Sequence, residues 1–190
     1  MKVLLDTIKL RKSIVTFAEQ SIDPEELHLL FEAARWAPSS NNQQPWRFIV
    51  GTKENSEHYN RLFDCLKEGN QAWAIHAPVL VLSIAERTFD YKDRDNPYAW
   101  HDVGLATGNL LNQAASMGIF VHVMGGFYRD KARETFKLPS RYEPVSMMAI
   151  GYRGNITAFP PQFQERENKV RQRKELSELV YNGDWGNGLY

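Results

Sequence analysis

The sequence predicts an α+β fold in which helices flank a mixed sheet. Its 190 residues, 43% hydrophobic and 12% aromatic, are enough for one domain with a good-sized core. Apolar runs typical of strands alternate with helical patterns, but the connections between them are uneven in length, which favours α+β over a regularly wound α/β sheet. A dinucleotide-binding α/β fold is further disfavoured because no strand leads into a G-x-G-x-x-G turn.

The helices are predicted from periodicity and from end signals. Asp23 is an N-cap before Pro24, which takes the first helical position, and this helix should end near Trp36. Gly118 should end the longest helix in a left-handed conformation. The predicted helical segments are residues 3–10, 24–36, 56–66, 70–74, 97–117, 129–136 and 176–180.

The strands are predicted from short runs of branched apolar residues. These runs cover residues 47–51, 77–84, 119–123 and 145–151. The second run is apolar almost throughout and has Pro78 at its start, so it predicts a central strand. The charged stretch 86–96 is predicted to be a loop or lid with a solvated face.

The overall charge excludes several kinds of partner. Lys plus Arg equals Asp plus Glu at 23 each, so no bulk field draws the chain to nucleic acid or to an anionic membrane, and any anion site must be local. The single Cys65 excludes an internal disulfide and is expected to be a buried, inert thiol in a reducing compartment. No apolar run reaches the length of a membrane span, and Asp6 comes too early for a signal peptide. We therefore expect a soluble, cytoplasmic protein.

Several kinds of catalytic site are also disfavoured. None of the five histidines stands at a ligand spacing from another histidine or from the cysteine, so no metal site is expected. His101 and Asp102 are an adjacent pair, but adjacent helical residues are not expected to face one another. Ser39 and Ser40 have no identifiable base and no G-x-S-x-G elbow. No pair of carboxylates stands out, and no side chain is assigned a catalytic role.

The stretch from Ala37 to Trp46 is a dense array of neutral hydrogen-bonding groups. Six consecutive hydroxyl or amide side chains lie between Pro38 and Pro45, and each proline biases its preceding residue, Ala37 or Gln44, towards an extended conformation. Such groups suit the polar edge of a heterocyclic ring or a sugar better than a metal. Local composition is equally compatible with an ordinary helix-to-strand turn.

Two basic clusters and a glycine pair add a second kind of signal. Arg11-Lys12-Ser13 can grip a phosphate, or its cations can simply complement the end of the preceding helix. The cluster 171–174 opposes the dipole of the helix that follows, which favours a nearby anion. Gly125-Gly126 lets backbone N–H groups approach a ligand. A ligand with a phosphate at one end and a planar hydrogen-bonding ring at the other fits these features; flavin mononucleotide (FMN) is one, and other phosphorylated ligands remain open.

The order of these motifs resembles the nitroreductase family of flavoproteins, in its short, FMN-dependent form, over nearly the full chain. The matching stretches are Arg11-Lys12-Ser13, Ala37-Pro38-Ser39-Ser40 with Asn42 and Gln44-Pro45-Trp46, Asn70 to Pro78, Gly118 to Phe127, Leu138-Pro139, Ile150-Gly151-Tyr152, and Arg171-x-Arg173-Lys174 with Trp185-Gly186. Three positions depart from the family pattern: Asn41 replaces a common glycine, His122-Val123 replaces Cys-Trp, and Arg153 replaces a frequent proline. These departures leave FMN binding credible and the substrate preference open.

The resemblance implies a single FMN-binding domain over residues 1–190, with a central mixed, mostly antiparallel sheet flanked by helices. It also implies an intertwined homodimer with FMN at the subunit interface, and the long helix with Gly104 and Gly108 packed at that interface. Arg11, Arg171 and Arg173 would surround the phosphate, and Lys12 would lie at the N1–C2=O edge of the ring. The implied cofactor residues are Arg11, Lys12, Ser13, Asn70, Met124, Gly125, Gly126, Arg171 and Arg173, together with Pro38, Ser39, Ser40, Asn42 and Gln44, of which Pro38, Ser39, Ser40 and Asn42 would come from the other subunit.

The implied activity is hydride transfer from NADH or NADPH through FMN to a nitroaromatic, a quinone or a similar small acceptor, in a ping-pong mechanism. Other reactions of the same fold, namely dehalogenation, flavin fragmentation and dehydrogenation, are alternatives. So are a flavin-binding protein without turnover and an interaction domain whose basic clusters only pair with acids.

Overall fold

The computed structural model describes residues 3–91 and 94–190, and its centre is a four-stranded antiparallel sheet. The helices are α1 (Asp6–Leu10), α2 (Pro24–Arg35), α3 (Ser56–Phe63), α4 (Glu68–Ala74), α5 (Ala99–Ser116), α6 (Arg129–Thr135) and α7 (Pro161–Asn168). The strands are β1 (Trp46–Thr52), β2 (Val79–Glu86), β3 (Thr88–Phe89), β4 (Arg94–Asp95), β5 (Phe120–Met124) and β6 (Tyr142–Gly151). The sheet order is β1-β2-β6-β5, and each of its three pairings is antiparallel. The predicted α+β class is confirmed.

The sheet separates two hydrophobic clusters. Along β2, Leu80 and Leu82 belong to one cluster, whereas Val79 and Val81 belong to the other, because successive side chains of a strand point to opposite faces. The first cluster includes Trp73 of α4, and the second includes residues of α2 and α5. Since β2 is buried along its whole length, the prediction of a central strand is confirmed.

Most predicted end signals are present in the structure. The Asp23 carboxylate accepts a 2.7 Å hydrogen bond from the Glu25 N–H, and α2 ends one residue before Trp36. Gly118 has a φ of +70°. The largest difference is α7 (Pro161–Asn168), which the sequence did not predict as a helix. Smaller differences are that α3 ends at Phe63, Pro78 lies just before β2, and residues 176–178 form a 3-10 helix.

The charged stretch 86–96 differs from the prediction at its two ends. It contains the β3–β4 hairpin, in which Asp90, Arg94 and Asp95 are solvated as expected. Glu86 and Asn96 are buried, because Glu86 forms ion pairs with Arg47 and Arg141 from the neighbouring strand β1 and the loop before β6, and the Asn96 N–H donates to the Arg87 carbonyl. The predicted positions 92 and 93 lie outside the described residues.

Two parts of the described chain are poorly covered by the rest of it. After α7, residues 169–190 run over the surface, with the Trp185 side chain 90% exposed. On α5, Val103 and Leu110 face the core, but a Cβ built on Gly104 or Gly108 would meet no described atom within 4 Å. The close partner that these glycines predict is therefore not supplied by the described residues. Among residues 3–91 and 94–190, none of the helices is long and apolar enough to cross a membrane.

Candidate functional site

The fold brings the two predicted basic clusters together. The Arg171 guanidinium donates to the Lys9 carbonyl at 2.5 Å and to the Arg11 carbonyl, both at the C-terminal end of α1, where carbonyls lack helical partners. The Arg11 guanidinium in turn donates to the Ser13 hydroxyl at 3.3 Å. Residues from both ends of the chain thus form one cationic group.

This group has no carboxylate partner among the residues that the structure describes. Burial, followed by repulsion from Arg171 and Arg173, lowers the pKa of Arg11 from its ordinary value. Within residues 3–91 and 94–190, none of the three arginines forms an ion pair with a carboxylate. Placing like charges together costs free energy, and an anion such as a phosphate would recover it through charge-assisted hydrogen bonds.

Lys12 is tied to α7. Its ammonium donates to the Glu167 backbone carbonyl and lies 3.7 Å from the Glu167 Oε2, while its side chain keeps 32% exposure. Lys12 is therefore held in one place but still reaches the surface beside Arg11.

Asn70 and Gly126, both predicted cofactor residues, contact each other at the end of β5. The Asn70 amide donates to the Gly126 carbonyl at 2.9 Å, and a Cβ on Gly126 would lie 2.6 Å from the Asn70 Nδ2. Met124 is buried as the last residue of β5, and Gly125 is exposed with no described atom within 4 Å of a built Cβ. A side chain at Gly126 would force the Asn70 amide to move, while Gly125 leaves open backbone at the surface.

This strand end and the basic group are linked by packing. The His122 Nδ1 of β5 donates to the Ile14 carbonyl at 2.7 Å, and the Trp73 ring of α4 stacks on His122 at 4.4 Å between ring centroids. The segment that begins with Arg11 is therefore fixed against β5 and α4, which carry Gly126 and Asn70.

The polar loop is a short 3-10 helix (Ser40–Asn42) with unusual backbone angles. Asn41 and Asn42 have φ values of 52° and 53°, so the tolerance expected of Asn41 is confirmed. The extended conformation predicted for Gln44 is wrong, because its φ is 50°. The Gln44 N–H donates to the Ser39 hydroxyl at 2.9 Å and its side chain donates to the Asn42 carbonyl at 3.2 Å, and these bonds hold the left-handed conformation against its steric cost.

The loop is anchored to the start of α5 by Asp102, a residue that sequence reasoning set aside. Its Oδ2 accepts the Ser40 N–H at 3.0 Å, and its Oδ1 lies 3.0 Å from the His101 Nδ1. The expectation that His101 and Asp102 do not face one another is thus wrong, because the buried carboxylate under the loop lies within reach of the exposed imidazole. A cavity of about 370 Å³ is lined by Pro38, Ser39, Ser40, Tyr98, His101, Asp102 and Leu105.

The loop and the arginines lie at opposite ends of α5. The loop contacts Asp102, whereas Arg11 shares a cavity of about 210 Å³ with Leu111 and Ala115. Nine to thirteen helical residues at 1.5 Å each separate these contacts by about 14–20 Å. One chain therefore does not bring all the predicted cofactor residues into one place.

Glu167 is a second residue that the sequence did not single out. It is 2% exposed, and its Oε1 accepts the Val15 N–H at 2.5 Å. No local signal marks it, because α7 was not predicted from the sequence and the contacts of Glu167 lie some 150 residues away in the chain.

Comparison with known proteins identifies the family. A sequence model described as the Nitroreductase family matches residues 8–71 and 52–152. The chain belongs to the nitroreductase family. A protein of Mycolicibacterium smegmatis described as an uncharacterized 15.4 kDa protein is 31% identical over 150 residues, which are 75% of this chain and 99% of that one. A Streptococcus pyogenes protein named "Putative NAD(P)H nitroreductase" is 43% identical over 181 residues, with 78% and 88% of the two chains covered.

A solved structure supports the same assignment of fold. An oxidoreductase described as containing FMN superposes with a TM-score of 0.91 at 29% identity, over 98% of this chain and 94% of that one. The nitroreductase fold thus accounts for nearly the whole chain, including the exposed arm after α7.

Other sites are limited within the described residues. No group of three or more His, Cys, Asp or Glu side chains in residues 3–91 and 94–190 could hold a metal ion. Cys65 is buried, as predicted, and burial raises the pKa of its thiol, which disfavours the reactive thiolate.

Proposed function

We propose that this member of the nitroreductase family is an FMN-dependent oxidoreductase that transfers hydride from NADH or NADPH to a small acceptor, such as a nitroaromatic or a quinone, by a ping-pong mechanism. The observation that carries this proposal is the convergence of Arg11, Arg171 and Arg173 without a carboxylate partner in the described residues. The name of the S. pyogenes relative and the FMN-containing neighbour support the same chemistry.

The described residues fit FMN at both of its ends. The three arginines and the Ser13 hydroxyl suit a phosphate, whose charge would offset their mutual repulsion. Gly125 leaves accessible backbone at the end of β5, suited to a planar ring. FMN, when bound, supplies a ring that accepts a hydride from one substrate and passes the electrons to another.

The protein side chains bind and orient in this proposal. Lys12, fixed by Glu167, would place a positive charge at the N1–C2=O edge and stabilise negative charge there. No side chain is assigned as a general acid or base.

We infer that two copies of the chain share the site, and the separation of about 14–20 Å along α5 between the polar loop and the arginines supports this inference. The exposed arm and the open glycine face of α5 would be covered in a homodimer. One copy would supply Arg11, Lys12, Ser13, Asn70, Met124, Gly125, Gly126, Arg171 and Arg173; the other would supply Pro38, Ser39, Ser40, Asn42 and Gln44. Each copy would be a single domain over residues 1–190, and a cytoplasmic location stays a prediction.

The test starts with the absorbance spectrum of the purified protein. We expect a yellow flavoprotein that bleaches anaerobically with NADH or NADPH and recovers its colour with a nitroaromatic or quinone. Initial rates should give parallel double-reciprocal lines; intersecting lines with a ternary complex would contradict the ping-pong scheme. A yellow protein that does not bleach would be a flavin binder without turnover, and a colourless protein without FMN affinity would be an interaction domain.

A second measurement tests the two-copy site. Dilution that dissociates the dimer should release FMN at the same concentration. A monomer that retains tightly bound FMN would contradict the shared site.

A further inference from the structure

Residues 12–15, which begin with the proposed cofactor residues Lys12 and Ser13, are held by groups of two distant elements. From α7, Glu167 accepts the Val15 N–H through Oε1 at 2.5 Å and the Lys12 ammonium through its backbone carbonyl. From β5, His122 donates to the Ile14 carbonyl at 2.7 Å. Three of four successive residues are thus fixed by groups more than 100 positions away in sequence.

Glu167 is the acid in this arrangement, and its second oxygen is unusual. The Glu167 Oε2 is buried without a hydrogen-bond partner among the described residues, while the Lys12 and Arg153 side-chain nitrogens lie 3.7 Å and 3.8 Å from it. A buried carboxylate is costly unless cations compensate it. The two cations at this distance provide that compensation. The negative charge of Glu167 in turn partly offsets the positive potential around Lys12.

Glu167 also joins the chain just before the C-terminal arm, residues 169–190, to segment 9–15. Glu167 binds Val15, and Arg171, four residues later, binds the carbonyls of Lys9 and Arg11. Segment 9–15 is therefore joined to this part of the chain at two places, Glu167 and Arg171. Loss of the Glu167 contact would make the contact between Arg171 and the end of α1 less well fixed.

We propose that Glu167 is a positioning residue that anchors segment 12–15 and holds the Lys12 ammonium beside the FMN ring. This inference rests on the proposed function, because Lys12 matters to the ring only if FMN binds there. The Lys12–Glu167 pair then sets the balance between the two redox states of FMN. The reduced ring carries more negative charge than the oxidised ring, so the full field of Lys12 would favour the reduced state and the Glu167 carboxylate moderates it.

Two substitutions separate the anchor from the charge. Glu167→Gln keeps an oxygen that can accept the Val15 N–H but removes the charge, whereas Glu167→Ala removes both. Glu165→Gln is the matched control, because it removes an exposed charge from the same helix.

The first measurement is hydrogen exchange of the FMN-free protein over the peptide that contains Val15. We expect faster exchange in Glu167→Ala, with wild-type protection in Glu167→Gln and Glu165→Gln. We also expect the dissociation constant of oxidised FMN to rise roughly tenfold or more in Glu167→Ala, as for loss of a charged hydrogen bond. Unchanged exchange and unchanged affinity in Glu167→Ala would overturn the anchor.

The second measurement is the midpoint potential of bound FMN. If Glu167 were only structural, this potential would not change in a variant that keeps wild-type hydrogen-exchange protection. We expect a higher potential in Glu167→Gln than in Glu165→Gln or wild type. The shift should be smaller when Glu167→Gln is made in a Lys12→Met background, because only the direct field of the carboxylate then remains. Equal potentials in Glu167→Gln and Glu165→Gln, or a shift of the same size without Lys12, would overturn the proposal. If the wild-type protein binds no FMN, the proposed function fails, while the exchange comparison still decides the anchor.

Discussion

Two groups of arginines in this chain have opposite electrostatic arrangements. Arg47 and Arg141 flank the buried carboxylate of Glu86, which lies 2.7 Å from Arg47 and forms an ion pair with Arg141. Arg11, Arg171 and Arg173 instead contact backbone carbonyls and the Ser13 hydroxyl. The first group pairs with carboxylates of its own chain, whereas the second forms no ion pair with a carboxylate among the described residues.

The difference follows from where the arginines lie in the fold. Arg47 is paired in register with Ile84 on β2, and Glu86 is paired with Tyr142 on β6, so the sheet itself brings the first group together. The second group joins the end of α1 to the arm after α7, outside the sheet. Sheet register therefore brings the first group together with its carboxylate, whereas contacts between Arg171 and the end of α1 bring the second group together without one among the described residues.

The largest effect is expected from the double change Arg171→Ala with Arg173→Ala. If both side chains hold the FMN phosphate, binding should weaken by roughly 1.5–3 kcal/mol per arginine, the usual range for a charge-assisted bond. The measurement is titration of the FMN-free protein with FMN, followed by flavin fluorescence.

Arg171→Ala could weaken FMN binding indirectly, because Arg171 also binds the end of α1. The single change Arg173→Ala avoids this structural effect, because the Arg173 guanidinium contacts the neighbouring Gln172 carbonyl. Lys174→Ala is the matched control for loss of a nearby exposed cation. Equal FMN affinity in the double variant and in Lys174→Ala would show that the second group does not hold the phosphate.

The closed group should respond in stability rather than in binding. Glu86→Ala should lower the free energy of unfolding by about 1–3 kcal/mol, less than for a fully buried pair, because Arg47 and Arg141 keep 46% and 42% exposure and can be hydrated. Denaturant unfolding measures this loss. Asp90→Asn, at the exposed partner of Arg141, is the control and should cost under about 1 kcal/mol. A fall in FMN affinity without a loss of stability in Glu86→Ala would break the comparison.

Several features that depend on residues close together in the sequence were predicted correctly. The Asp23 cap, the left-handed Gly118 and the central strand β2 are local signals, and each is confirmed. The prediction of an extended Gln44 is wrong, because a hydrogen bond to Ser39 outweighs the bias from the following proline. The local preference is thus weaker than a specific bond within the folded loop.

The missed acids show the same limit at longer range. Glu86, Asp102 and Glu167 are buried polar groups whose partners come from other elements, between 39 and 152 positions away. No local pattern distinguishes them from solvated acids. The basic clusters were found as motifs, but their convergence followed from the family resemblance and from the fold, not from their own residues.

Alanine substitutions on the open face of α5 should have opposite effects on the isolated chain and on a dimer. In an isolated chain, Gly104→Ala and Gly108→Ala should each stabilise the helix by up to about 1 kcal/mol, because the new Cβ meets no described atom within 4 Å. If a second copy packs closely against this face, the same changes should weaken the dimer. Sedimentation across a dilution series, with FMN retention at each concentration, measures the dimer.

Gly69→Ala supplies the control for this change. Gly69 lies in α4 and is exposed, and its built Cβ likewise meets no described atom within 4 Å, so it should give the stabilisation alone. Identical behaviour of Gly69→Ala and the two α5 variants would mean that the α5 face is ordinary surface, and the two-copy site would lose its main structural support.

The smallest expected effect is a pH dependence at His122, which lies beside the open arginine group. Burial is the main cause that lowers the pKa of His122, and Arg166 and Arg11 lower it further, while the Ile14 carbonyl and Glu167 oppose the shift. The unfolded chain therefore binds a proton more readily than the folded chain. The contribution of His122 to stability is complete above a pH of about 6.5, the ordinary histidine value, and is lost as the pH falls from there towards the lower folded pKa.

Denaturant unfolding of the wild type and of His122→Gln between about pH 5 and pH 8 measures this contribution, over the range that brackets the ordinary histidine pKa. The stability advantage of the wild type should shrink as the pH falls, because only the wild type carries the imidazole that the buried site keeps neutral. His28→Gln, at an exposed position of α2, shows how much of any change follows from removing an imidazole elsewhere. A wild-type advantage that is constant with pH would mean that His122 takes up its proton equally in the folded and unfolded states.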